Sequence, residues 1–235
     1  MSRRATPLEW TDEQLAGFWD YYAEQRQEDY FTNLFGDRIL ALTRRFYRPD
    51  ALVCYYGCGS GFLLERLLRT HRAAGCDFSE ANLEAVRQRL GGHRNLAATF
   101  RVGEPPAGHL FDALYVVETV EHVLDRHEAL FFANIAGLLR PGGVVVVTTP
   151  NAEDLSAETV YCPHCRHQFH RWQHVRSFDA ESLAAYFGQH GFERVETFTT
   201  DFAARTPWQA LKAKLRPLLA RKNPHLVYVG RKREG

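Results

Sequence analysis

Apolar residues along the chain follow two rhythms, and these divide it into elements. Residues 11–47 read as helical, opened by "TDEQL", where Thr11 or Asp12 can cap the first turn, and ended by Pro49. Beyond residue 50, short continuous apolar runs alternate with stretches of helical period. "ALVCYY" (51–56) runs into glycines and has the form of a buried parallel strand. "SGFLLERLLRTH" (60–71) is an amphipathic helix, "RAAGCDF" (72–78) a second strand, and "SEANLEAVRQRLGG" (79–92) a helix with a Ser79 cap and a glycine stop. "NLAATFRV", "FDALYVV" and "GVVVVTTP" follow as strands three, four and five. A helix from about residue 125 to 139, stopped by "RPGG", separates the last two. "SFDAESLAAYFGQHG" is a capped helix, and "FERVETFTT" with "HLVYVGRK" forms a closing strand pair. Such alternation with short connections predicts an α/β fold, a parallel sheet covered on both faces.

Between that last pair lies "PWQALKAKLRPLLARK" (207–222), in which Trp208, Leu211, Leu215 and Leu218 recur at three- and four-residue steps among lysines and arginines. The stripe is read as packing on its own domain, ahead of contact with a membrane or an anionic substrate.

Bulk numbers narrow the class. At 235 residues the chain suits one α/β-sized unit, and 45% hydrophobic with 24% charged residues is ordinary for a soluble globular protein. A net charge of +1 gives no overall case for nucleic acid. The basic stretches at residues 205–222, "RKREG" and "SRR" are read as solvated faces. The N-terminal residues show no apolar core of a signal peptide, and no run approaches the ~18 apolar residues of a membrane span. Five cysteines is an odd count, and Cys54, Cys58 and Cys76 sit in apolar or glycine-rich surroundings, so a reduced, cytoplasmic protein is expected.

Candidate chemistry begins at "VCYYGCGSGF", where Gly57, Gly59 and Gly61 stand between the first strand and the first helix of the sheet. Glycines there let backbone approach a ligand with no Cβ in the way. A dinucleotide fingerprint would need a third glycine where Phe62 stands, which counts against NAD or FAD. Asp77 lies 20 residues after Gly57, at the end of the second strand, where a carboxylate can accept both hydroxyls of a ribose.

The glycine loop resembles the first motif of class I S-adenosylmethionine-dependent methyltransferases. "FDALYVV" with "ETVEHV", and then "LLRPGGVVVVTTPN", are similar to that family's fourth and fifth strand motifs, so the resemblance runs over residues 52–198. It implies a Rossmann-like, seven-stranded, mostly parallel sheet with helices on both faces and an antiparallel last strand. Residues 1–48 would be an N-terminal helical extension and 49–235 the methyltransferase domain, with a Cys/His-rich insertion at about 152–176. The cofactor would be S-adenosyl-L-methionine, held by Tyr55, Gly57, Gly59, Gly61 and Asp77, with Phe78, Val102 and Gly103 around its adenine. Tyr55 departs from the family, which usually carries Asp or Glu two residues before the first glycine; tyrosine can hydrogen-bond but brings no charge.

"ETVEH" places Glu118, Glu121 and His122 at i, i+3 and i+4, one face if the segment is helical. Two carboxylates and an imidazole suit a divalent cation with open positions for substrate oxygens. The trio resembles two groups in the superfamily. Small-RNA 3′-terminal 2′-O-methyltransferases carry "ExxEH" plus a later histidine on Mg2+ or Mn2+, a position that matches His174 here. Ubiquinone-biosynthesis O-methyltransferases carry a similar "EHV" and act on phenolic hydroxyls.

"YCPHCRHQFHRWQH" (161–174) adds a second candidate. Cys162-Pro-His-Cys165 has the knuckle form that aims two thiolates at one zinc ion. With His174 assigned to the catalytic cation, the zinc site would be completed by a pair from His164, His167 and His170, foremost His167 and His170. A redox pair and plain loop cysteines are the alternatives.

The expected function is O-methylation of a small-molecule hydroxyl with divalent-metal assistance, Glu118, Glu121, His122 and His174 being catalytic and His122 or His174 serving as general base. The alternatives are an RNA 2′-O-methyltransferase, and a non-catalytic S-adenosylmethionine-binding regulatory protein with a zinc knuckle.

Overall fold

The structure is a computed structural model and describes residues 5–25, 30–108, 110–203 and 224–234. The stripe at 207–222 lies outside the described residues. Chain order runs β1 (Thr6–Pro7), α1 (Asp12–Gln25), α2 (Phe31–Thr43), β2 (Val53–Tyr56), α3 (Phe62–Leu68), β3 (Ala73–Asp77), α4 (Glu80–Leu90), β4 (Leu96–Arg101) and β5 (Phe111–Val117). It continues through α5 (Glu128–Leu138), β6 (Leu139–Pro150), β7 (Thr159–Tyr161), β8 (His167–His170), α6 (Ala180–Gln189), β9 (Phe192–Thr200) and β10 (His225–Lys232).

Seven strands form the main sheet in the order β4-β3-β2-β5-β6-β10-β9. The strands from β4 to β6 pair in parallel, and β10 runs antiparallel between β6 and β9. This is the expected seven-stranded, mostly parallel, Rossmann-like sheet. Strand alternation separates two apolar layers. Cys54, Tyr56, Leu114, Val116, Val145 and Val147 face Phe131, Ile135, Leu183 and Phe187 of α5 and α6. Val53, Tyr55, Ala113, Tyr115, Val144 and Val146 face Leu63, Leu67, Leu83 and Val86 of α3 and α4, with Ile39 of α2 in the same layer. Each such aliphatic or aromatic side chain taken out of water contributes about 1.5–3 kcal/mol.

The structure refines three expectations about elements. Residues 11–47 are helical as expected but in separate pieces: Tyr30, whose backbone is extended (φ −58°, ψ 126°), stands between α1 and α2, and a 3₁₀ turn, Arg44–Phe46, closes the segment. The two helices have different neighbours, α1 lying against α4 and α2 against α3. "RPGG" follows the end of α5 at Leu138, as expected of a helix stop, and it also forms the first part of β6. There the pairing with β5 slips from Phe111–Leu139 to Ala113–Val144, Gly142 takes φ +72°, and Arg140 donates to Asp112 at 2.7 Å. "ETVEH" is not an α-helix: Glu118 leaves β5 in the left-handed region (φ 45°), and only Val120–His122 form a 3₁₀ turn.

The caps behave as expected. Ser79 Oγ accepts the Asn82 N–H at 3.3 Å to start α4, and Asp179 with Ser182 forms a reciprocal capping box on α6. The Cys/His insertion folds as an antiparallel β7–β8 hairpin, and β1 joins β8 in parallel to make a small three-stranded sheet. Among the described residues no helix is long and apolar enough to cross a membrane.

Candidate active site

A cavity of about 700 Å³ opens at the carboxyl ends of β2, β3 and β5. Its floor is the glycine loop. Gly57, Gly59 and Gly61 take φ of 70°, 50° and 79°, the left-handed region in which a Cβ is strained. The Gly57 and Cys58 N–H groups both donate to the Cys76 carbonyl, at 2.8 and 2.9 Å, which ties the loop to β3. Asp77 locks it from below. Its Oδ2 accepts the Gly59 N–H at 2.7 Å, and its Oδ1 accepts from Ser79 N–H at 2.9 Å and the Asn82 amide at 3.3 Å. Burial pushes the Asp77 carboxyl up, and these hydrogen bonds oppose the shift.

Of the sequence-predicted cofactor residues, Tyr55, Gly57, Gly59, Asp77, Phe78 and Val102 line the cavity. Phe78 is 47% exposed, so its ring face is open. Gly61 and Gly103 are not lining residues; each makes a turn, at φ 79° and 87°. Tyr55 is buried, hydrogen-bonds Thr32 and has its phenol pushed far up by desolvation, so it meets the cavity as a neutral group.

Sequence reasoning missed the roof. Asp12, Leu15, Trp19 and Tyr22 of α1, Tyr30 before α2, and Trp172 with Gln173 after β8 all line the cavity. Asp20 anchors α1 over the loop by accepting from Ser79 Oγ at 3.0 Å. The available signal was the aromatic density of "FWDYY" at 18–22, which a single helix period does not distinguish from core packing.

Beside the floor sits a cluster of acids and imidazoles. Glu121, His122 and His174 each bring one ligand-capable atom within 4.8 Å of the others. Glu121 is 1% exposed; its Oε2 accepts from Thr149 Oγ1 at 3.1 Å, while its Oε1 has no hydrogen-bond partner. Burial, and then the nearby Glu118, hold the Glu121 carboxyl well above its usual range. Burial first, then His174, pushes His122 down to about 3; its Nδ1 lies 3.4 Å from the Gln173 carbonyl. Glu118 stands outside this close group. Its Oε1 accepts from Thr148 Oγ1 at 2.7 Å, and burial pushes its carboxyl up to about 7, with Thr148 opposing and Glu153 adding. Among the described residues, no lysine or arginine pairs with Glu118, Glu121 or Glu153.

The cysteine knuckle is elsewhere. Cys162 and the exposed Cys165 lie in the turn joining β7 to β8, where the Cys162 N–H donates to the His167 carbonyl at 2.8 Å. Hydrogen bonds from the Cys165 backbone and side chain lower the Cys162 thiol. The expected partner His170 is not with them. It is buried and its Nε2 lies 3.5 Å from Glu153 Oε1. The reason is strand geometry: His167 and His170 are an odd number of residues apart, so β8 sends them to opposite faces. Among the described residues, no His, Asp or Glu joins the two cysteines in a close group of three donors.

Comparison with known proteins fits this geometry. The family model described as "Methyltransferase domain" matches residues 22–197. A ubiquinone biosynthesis O-methyltransferase of Mesorhizobium japonicum is 35% identical over 100 residues, 40% of this chain and 39% of that protein. A probable S-adenosylmethionine-dependent methyltransferase of Mycolicibacterium smegmatis is 30% identical over 148 residues, 60% of this chain and 51% of that one. The matched stretch thus spans less than half the length of the ubiquinone relatives. In fold, the chain is similar to the 1,6-didemethyltoxoflavin-N1-methyltransferase of Burkholderia thailandensis, solved with S-adenosylhomocysteine (TM-score 0.65, 18% identity, 99% of this chain and 96% of that one). It is also similar to the complex of Haloferax volcanii Trm112 with a methyltransferase (TM-score 0.66, 19% identity, 94% and 98% covered). The chain belongs to the methyltransferase-domain family, and its fold is that of S-adenosylmethionine-dependent methyltransferases.

Proposed function

We propose that this methyltransferase-family chain moves a methyl group from S-adenosylmethionine to a hydroxyl of a small organic acceptor, assisted by a divalent cation. One observation carries the reading: the glycine loop with Asp77, and the imidazoles His122 and His174, line the same aromatic-roofed cavity of about 700 Å³. Its apolar walls, including Leu15, Trp19, Phe78, Val123 and Phe131, suit a flat or apolar acceptor. The ubiquinone relatives, O-methyltransferases by name, support hydroxyl as the acceptor class.

The residues fit the cofactor. Gly57 and Gly59 expose backbone, Asp77 offers a buried carboxylate, and Phe78 an open ring face. When bound, S-adenosylmethionine supplies an electrophilic methyl group on its sulfonium. The acid cluster fits a divalent cation, because three neighbouring carboxylates have no lysine or arginine partner among the described residues and Glu121 Oε1 is buried without a hydrogen bond. Glu121, His122 and His174 would hold the ion, with Glu118 beside them, and the ion would lower the pKa of the acceptor hydroxyl. The low proton affinity of His122 suits it to ligation rather than to service as a base. In the absence of an ion, His174 would serve as the general base, its ring oriented by Glu153, which lies 2.6 Å from Nδ1. Trp19, Tyr22 and Trp172 line the same cavity and give it an aromatic roof.

The test is S-adenosylhomocysteine formation with a panel of phenols, catechols and a short RNA, each with Mn2+ or with EDTA. Metal-dependent turnover of a phenol or catechol supports the reading. Turnover of RNA alone moves the acceptor to a ribose hydroxyl. Wild-type turnover by Glu121→Ala and His122→Ala removes the cation cluster from the reaction. Cofactor binding with no turnover of any acceptor would make the chain a binding protein.

A further inference from the structure

Two donor groups meet at His174. Glu121, His122 and His174 form one; Glu153, His170 and His174 form the other, again with atoms within 4.8 Å of each other. A neutral imidazole offers a single lone pair, so His174 cannot supply an ion in both groups at once. The hydrogen bonds decide which group holds a cation.

His170 Nδ1 accepts the backbone N–H groups of Trp172 and His174, each at 3.3 Å. A nitrogen that accepts carries no proton, so in the neutral ring the proton sits on Nε2. That Nε2 is buried, has no hydrogen-bond partner and faces Glu153 Oε1 at 3.5 Å. For Nε2 to bind a cation, the proton would have to move to Nδ1, directly against two N–H donors. His174 is arranged the other way. Its Nδ1 lies 2.6 Å from Glu153 Oε2, and an ionised carboxylate only accepts, so Nδ1 carries the proton and the lone pair is on Nε2. Glu153 thereby holds His174 through Oε2 and turns Oε1 towards His170 Nε2. Its backbone is held as well, since Ser177 Oγ donates to the Glu153 carbonyl at 2.7 Å.

We infer that Glu153 is a positioning residue that fixes His174 in its Nδ1–H form and makes Nε2 the donor of the Glu121–His122–His174 site, and that His170 binds no ion. The inference rests on the reading of that cluster as a cation site. A carboxylate behind a ligating imidazole sets ring orientation and strengthens the donor, and its loss typically costs 10–100-fold in metal affinity. His170 then serves as a buttress that organises the 170–174 turn through its two accepted amides.

The experiment is calorimetric titration of the full chain with Mn2+, for wild type, Glu153→Gln and His170→Asn, with circular dichroism to establish that each variant is folded. Asparagine keeps an acceptor near the place of Nδ1 and deletes Nε2. Glu153→Gln is expected to weaken Mn2+ binding about 10–100-fold, while His170→Asn changes it by less than about twofold. Nitrogen-15 histidine correlation spectra of the metal-free wild type, which need no variant to fold, are expected to show His174 as the Nδ1–H tautomer. Unchanged Mn2+ affinity in Glu153→Gln, loss of binding in His170→Asn, or a His174 protonated on Nε2 would each overturn the inference while leaving the cation site in place. A wild-type chain that binds no Mn2+ would overturn both this inference and the cation reading beneath it.

Discussion

Trp19 donates its indole N–H to Gln173 Oε1 at 3.2 Å, a bond between α1 and the segment after β8 that spans 154 positions of sequence. Gln173 is fully buried at φ 60° and passes its own amide to the His122 carbonyl at 3.2 Å, and the Trp19 ring stands edge-on to His122 at 4.7 Å. Roof, insertion and acid cluster are therefore joined through one glutamine.

Trp19→Phe keeps a ring over His122 and removes the indole donor. Gln173 Oε1 is then left unpaired in a buried position, at a cost of about 1–3 kcal/mol. The urea midpoint should fall accordingly; an unchanged midpoint would mean that α1 is not coupled to the insertion through this bond.

Asp77→Ala removes the acceptor for the Gly59 and Ser79 amides and for Asn82. S-adenosylhomocysteine binding by calorimetry should weaken at least about tenfold, equivalent to ~1.4 kcal/mol. Wild-type affinity in this variant would sink the assignment of the glycine loop as the cofactor floor.

Gly61→Ala places a Cβ 2.9 Å from Val86 Cγ2 at a residue with φ +79°. The left-handed conformation alone costs about 1–2 kcal/mol for a residue with a Cβ. Chemical denaturation should show a loss of that size or more, whereas Gly92→Ala, with nothing within 4 Å of its Cβ, should show far less.

Glu121→Gln replaces a buried carboxyl, held well above its usual range, by a neutral group of the same shape. The metal-free protein should be as stable as wild type or more so, because no charge needs burying near neutral pH. The rise in melting temperature that Mn2+ gives the wild type should disappear. A variant that still responds to Mn2+ like wild type would place the ion elsewhere.

His225 is packed among Phe31, Phe35 and Phe202, with ring centroids 4.9, 6.3 and 5.2 Å away, and burial pushes it down from 6.5 to about 4. Its native pKa lies below the unfolded one, so the unfolded chain binds the proton first. The share of stability that rests on this group is full above pH 6.5 and falls as pH drops from 6.5 towards 4, by about 3 kcal/mol. Denaturation midpoints across that window should show the slope, and His225→Phe should lessen it by that share, leaving the part that His122 contributes.

Much of this protein was legible before its fold. Strand and helix alternation from residue 51, the Ser79 cap, the closing strand pair, and the placing of Gly57, Gly59 and Asp77 at one end of the sheet all follow from local periodicity and turn chemistry, which depend on neighbouring residues. "ETVEH" was legible as chemistry but not as geometry. Its helical spacing suggested one face, yet Glu118 turns left-handed out of β5, so the close group is Glu121, His122 and His174 while Glu118 bonds to Thr148 on the next strand. The four histidines of residues 164–174 could not be sorted from spacing, because each is within reach of a cysteine along the chain. Strand alternation in β8 and the carboxylate of Glu153 sort them, turning His170 and His174 inward and away from Cys162 and Cys165. The roof is the extreme case: what Trp19 does depends on Gln173, and only the folded backbone brings that partner near. Local signals set the elements and the residue types at the site; long-range contacts, invisible to any short window, decide which donors share a space and which nitrogen of each imidazole is free.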